Sequence, residues 1–247
     1  MNYKIAIKVK TAPSGTYPFL YPFDKDSVKV GNIKDPQKIE EKVSQAAQAY
    51  KDEADSKACL SSVTGKICAI GVAVTAIDAE KGTLVETQPK AFFTHSDESK
   101  LLEDFWSAMV TIQKDYLKPG DTCKIVVWSD FDIPFILQRS IITGQSSQGC
   151  TLFPSMGTHN TFKQNGIAEV VNLMKVWNCN TYNTEKLWNV AAALDFISPT
   201  SKEFEDYRNS DQAAFYRLFD TPEGETKALK QIQMELDFIT NIANLIL

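Results

Sequence analysis

The sequence predicts an α/β domain built on a mixed five-stranded sheet with helices on its flanks. Two observations about periodicity carry that expectation. Apolar alternation with period two over YKIAIKVKTAP (3–13), and continuous apolar runs over KICAIGVAVTAI (66–77) and CKIVVWS (123–129), read as strands. Apolar residues at helical spacing recur between and after these runs. A third observation is their order: three strands, helix, strand, helix, strand, then helices. That is a three-strand meander followed by a strand–helix–strand unit, the signature of a mixed sheet.

In the opening strand Ile5, Ile7 and Val9 alternate with Ala6, Lys8 and Lys10, so one face is apolar and the other ends in two ammonium groups. Residues 12–34, rich in Pro, Gly, Tyr and Asp, read as a surface excursion. Asp35-Pro36 supplies an N-cap and a first-turn proline. Ile39, Val43, Ala46, Ala47, Tyr50 and Ala54 then predict a helix over about 36–58. After the strand at 66–77, Lys81-Gly82 turns the chain into LVETQPKAFFTH (84–95), a hairpin partner. Leu101, Leu102, Phe105, Trp106, Met109 and Ile112 predict a helix over 99–117, ended by Pro119-Gly120. The strand at 123–129 leads to a helix over 133–142, opened by Asp132 and Pro134. A polar loop spans 144–166, AEVVNLM (168–174) is the fifth strand, and helices follow near 184–195, 210–219 and 223–246.

With 247 residues the chain can bury one substantial core, and it reads as a single domain, 1–247, with an insertion at about 14–62 that contains the first helix. A net charge of −5 argues against strong sequence-independent attraction to nucleic acid or anionic lipid. No run of 18 apolar residues is present and the N-terminus lacks a secretory h-region, so no membrane role is expected. Five cysteines at scattered spacings, without a CxxC pair, suit reduced thiols and a cytoplasmic setting. With two histidines, a histidine-rich metal site is not expected. The sequence contains no Walker loop, nucleophile elbow or GxGxxG.

The most informative segment is VVWSDFDIPFILQRS (126–140). Phe131, Asp132, Ile133, Pro134 and Phe135, with Arg139 one turn later, resemble the second motif of the DnaQ-like (DEDD) 3′–5′ exonucleases. Other stretches resemble the same family in order: IKDPQKIEEKV through LSSVTGKICAIGVAV, then LLEDFWSAM, VVNLMKVW, and ALKQIQMELDFITNIANLI with Asp237. The likeness covers nearly the whole chain. It implies a ribonuclease-H-like sheet and two-metal phosphodiester hydrolysis, in which carboxylates hold two divalent cations about 3.5–4 Å apart. The family's ligands are an Asp-x-Glu pair on the first strand, an Asp in the second motif and an Asp in the last helix.

Aligned on IAIxVxTAP, the first-strand acids fall at Lys8 and Lys10, a charge reversal at both positions. Gln233 stands where the family carries a tyrosine, Ile232 offers no histidine, and Asn172 stands where relatives often have another Asp. Val127-Trp128-Ser129 also departs from the usual lead-in. Of the catalytic set Asp132 and Asp237 remain. The resemblance thus implies a catalytically degenerate exonuclease homologue without a resident metal, in which Lys8 and Lys10 pair with Asp132 and Asp237. Its retained role is to bind single-stranded DNA or a nucleic-acid 3′ end, or to bind a protein. The alternative is an active enzyme needing Mg²⁺ or Mn²⁺ and unusual ligands, such as Asp24 with Asp26, or Asp130.

Structural readings stand beside these. Lysines on a strand are usually solvated, and Asp132 at a helix start is favoured by the dipole and free N–H groups alone. Asp237 reads equally as an ordinary exposed helix acid. Cys59, Cys68 and Cys123, like Phe105, Trp106 and Trp188, read as core.

Overall fold

Alternation in β1 (Asn2–Pro13) sends Ile5, Ile7 and Val9 to one face of a sheet and Lys4, Ala6, Lys8 and Lys10 to the other. The computed structural model of the chain describes residues 1–247 apart from 79, 82, 88, 89, 146, 148, 154–167, 180–183, 210 and 211. A short helix, α1 (Tyr17–Leu20), interrupts the excursion after β1. Helix α2 (Pro36–Ala58) begins as expected, with the Asp35 carboxylate accepting the Gln37 N–H and proline in the first turn.

Among the described residues the sheet is mixed and has six strands, one more than the sequence reading expects. β1 is central. It pairs antiparallel with β2 (Gly65–Ile77) and parallel with β5 (Thr122–Val127), and β5 pairs parallel with β6 (Glu169–Asn172). The extra strand arises because 84–95 is not continuous. β3 (Leu84–Thr87) pairs with the far end of β2, and β4 (Ala91–Thr94) pairs with Ala69–Val72.

Helices α3 (Glu98–Tyr116) and α4 (Asp132–Ile142) cover one face, where Phe105, Trp106 and Met109 pack on Ile5, Ile7 and Ile125. The Asp97 carboxylate caps α3 by accepting the Ser99 N–H. The expected strand at 168–174 is shorter than predicted. Asn172 turns it into α5 (Leu173–Trp177) by accepting the Lys175 N–H. The opposite face carries α6 (Leu187–Ala193), α7 (Lys202–Asn209), a 3₁₀ helix (Gln212–Asp220) and α8 (Pro222–Ile246). Neither α1 nor α7 is expected from the sequence. Part of the expected loop at 144–166 lies outside the described residues, but Cys150, Leu152 and Phe153 join the core. Among the described residues no helix is long and apolar enough to cross a membrane.

Two local features mark the β1–β2 ladder near the site. Gly71, paired with Lys8 across the β1–β2 ladder, lies so close to α8 that a Cβ there would sit 2.5 Å from Ile232 Cγ2. The register then slips by one residue: Lys10 pairs with Ala69 and Thr11 with Ile67, leaving Cys68 as a β-bulge.

Candidate functional site

Lys8, Lys10, Asp132 and Glu235 form one cluster on the face of β1 that α8 covers. The β1–β5 ladder ends at Ala6 with Val126. Beyond it, the first residue of α4 takes over: Asp132, fully buried, accepts the Val9 N–H through Oδ1 at 2.9 Å. The same oxygen lies 3.5 Å from Lys8 Nζ. Two residues on, Lys10 Nζ donates to Glu235 Oε1 at 2.8 Å and sits 4.3 Å from the centroid of the Phe215 ring. Glu235 Oε1 also accepts from Gln231 Nε2 at 2.9 Å and from Trp188 Nε1 at 3.4 Å. Tyr207 stacks on Trp188 with centroids 4.3 Å apart.

Neither ammonium lies in bulk water; the Lys8 and Lys10 side chains are 19% and 10% exposed. Burial opposes the charge of Lys8, but Asp132 and then Glu235 outweigh it and hold the ammonium above its ordinary value. Burial dominates at Lys10 and draws it down against the pull of Glu235, with the Lys8 charge adding to the fall. Burial likewise opposes ionisation of Glu235, yet Lys10 and then Lys8 hold that carboxyl below the usual range. The Glu235 direction decides the state of the pair, because a 2.8 Å contact reinforced by two further donors suits a carboxylate.

The sequence expectation needs one correction here. Asp237 does not meet the lysines. It is about half exposed and pairs with Lys90 Nζ at 2.5 Å. Gln233, one turn earlier, is exposed as well. Helical geometry separates these residues from Glu235: Ala228, Ile232, Leu236 and Ile239 are buried against the sheet, and Glu235 falls within that stripe. A carboxylate in an apolar stripe is a signal legible in the sequence, and motif spacing alone passes over it. Lys8 and Asp132 do meet, but Lys10 takes Glu235 instead of Asp237.

Other expected residues have structural partners. Arg139 makes a buried two-pronged pair with Glu98 and donates to the Ser62 carbonyl, while Glu98 also accepts the Ile67 N–H. Asp130 pairs with Lys175 and accepts from Asn172 Nδ2. Asp24, exposed, closes its own turn by accepting the Asp26 N–H. Cys59 and Cys123 are buried, and burial pushes the thiols of Cys68 and Cys123 up to about 12. Phe105, Trp106 and Trp188 are core residues.

The cluster of two ammonium groups and two carboxylates carries no net charge, and it does not fit a pair of divalent cations. Each ammonium–carboxylate contact is worth about 4 kcal/mol at an effective dielectric near 20, before desolvation is set against it. A divalent ion brought to this cluster would be repelled by the two ammonium groups. Among the described residues no group of three or more His, Cys, Asp or Glu could hold a metal ion. Comparison of the chain with protein-family models, with curated proteins and with solved structures gives no match.

Proposed function

We propose that the chain is a catalytically degenerate relative of the DnaQ-like 3′–5′ exonucleases, on a ribonuclease-H-like sheet, that works by binding instead of hydrolysis. One observation carries the reading. Lys8 and Lys10, at the strand positions where the resemblance puts metal-binding acids, each meet a carboxylate from a flanking helix, Asp132 of α4 and Glu235 of α8. In this reading the ion pairs replace the metals and tie the central strand to both helix layers. The central position of β1, between antiparallel β2 and parallel β5, supports the fold assignment. Glu235 then takes the place that motif spacing gives to Asp237.

The same geometry favours a protein partner over a nucleic-acid 3′ end. Both lysines are already neutralised, so a phosphate entering here would meet two buried carboxylates as well as two ammonium groups. Free cysteines fit a reducing, cytoplasmic setting.

Incubating pure protein with labelled single-stranded DNA and Mg²⁺ or Mn²⁺ tests the loss of hydrolysis. No degradation is expected; degradation abolished by Asp132→Asn would overturn the reading. Fluorescence anisotropy with the same DNA tests the partner. Salt-sensitive binding lost in the Lys8→Ala/Lys10→Ala variant would restore the nucleic-acid role.

A further inference from the structure

Beyond the bulge at Cys68, a cavity of about 450 Å³ opens between the strand ends and the start of α8. Its lining brings Lys66 and His95 together with Tyr216, Phe219, Asp220 and Glu225. We propose that this cavity binds a small zwitterion of the α-amino-acid class.

The charges are divided by position. Lys66 lies at the start of β2 and His95 directly follows β4, so cationic and donor groups come from the sheet. Asp220 ends the 3₁₀ helix and Glu225 lies in the first turn of α8, so the carboxylates come from the helical side. Among the described residues, the side chains of Lys66, Asp220 and Glu225 make no ion pair or hydrogen bond, although all line one cavity. Opposite charges that share a cavity without neutralising each other suit a ligand that bridges them.

His95 adds a donor to the lining. Its Nδ1 accepts the Asp97 N–H at 2.9 Å, which leaves the proton of the neutral ring on Nε2. A ligand carboxylate therefore finds an ammonium and an imidazole N–H on the sheet side, and a ligand ammonium finds two carboxylates opposite. Two aromatic walls are already fixed. The Tyr216 hydroxyl donates to Asp55 Oδ2 at 2.9 Å, and Phe219 packs edge-on to Phe215 at 6.0 Å. These rings suit an apolar or aromatic side chain. Cys68, with its thiol pushed up to about 12, presents a neutral surface.

Charge also weighs against other ligands. One lysine against two carboxylates opposes a nucleotide phosphate, and a simple amine would leave Lys66 unmatched. The proposal does not depend on the reading of Lys8 and Lys10.

Calorimetric titration of the full chain with each standard L-amino acid, and with adenosine monophosphate, provides the test. Saturable binding of apolar or aromatic amino acids is expected. The decarboxylated amine and the deaminated acid of the best ligand should each bind at least about tenfold more weakly. Lys66→Ala and Glu225→Gln should each weaken binding about tenfold while leaving the melting temperature unchanged. Binding of no amino acid, equal binding of the singly charged analogues, tighter binding of the nucleotide, or indifference to both substitutions would overturn the proposal.

Discussion

Lys10 and Glu235 meet at 2.8 Å across a separation of 225 residues, joining the first strand to the last helix. The contact is roofed by Phe215 and braced by Gln231 and Trp188, so it is held geometrically as well as electrostatically. Such a pair costs desolvation to form, and removing one member leaves the other charged and buried.

Lys10→Ala should therefore destabilise the protein by about 3–5 kcal/mol, whereas Lys10→Met combined with Glu235→Leu should be near neutral or stabilising. Chemical denaturation of both variants measures the difference. Equal losses in the two would show that Glu235 is not the group stranded by the single change.

Acid should weaken the same contact. Glu235 has a folded pKa below its unfolded value of 4.5, so its contribution is fully present above that value and fades as pH falls through the lower folded pKa. Glu235→Gln should flatten the acid limb of stability against pH. The alkaline limb is less diagnostic, because the Lys8 shift is upward and the Lys10 shift downward.

Asp237→Ala removes only a half-exposed partner of Lys90 and should change stability by about 0–1 kcal/mol. Glu235→Ala should cost several times as much. Thermal melts of the two single variants compare them directly, and a reversed order would put the buried acid at the wrong residue.

Lys8→Asp with Lys10→Glu should lower the melting temperature, because four carboxylates would then converge without counter-charge. Mn²⁺ should restore part of the loss in this variant and leave the parent protein unaffected. No Mn²⁺ response in the variant would argue that these positions do not correspond to a metal centre.

The Arg139–Glu98 pair joins α4 to α3 and, through the Ile67 N–H and Ser62 carbonyl, to the entry of β2. Arg139→Met should cost about 3–5 kcal/mol, read by denaturation. A loss near zero would mean that the joint is dispensable.

Periodicity made the three long strands and the helices at α2, α3, α4 and α8 legible, since each spans enough residues for its apolar rhythm to stand out. It could not divide β3 from β4, because only three residues separate Leu84–Thr87 from Ala91–Thr94 and the two short runs read as one strand. Nor could it find α1, which buries no residue. At the site, Lys8 with Asp132 follows from aligned motifs, but the partner of Lys10 required rotation about the α8 axis to be considered. Counting from Asp237 gives a position in the chain; the buried stripe of Ala228, Ile232, Leu236 and Ile239 gives the direction in space.

The absence of a side chain at Gly71 sets how far the last helix can descend. Even one methyl group there would push Ile232 outward and carry Glu235 away from Lys10, stretching a polar contact by crowding an apolar one. A single hydrogen atom on the second strand thus acts as the spacer that fixes a charge-to-charge distance on the first.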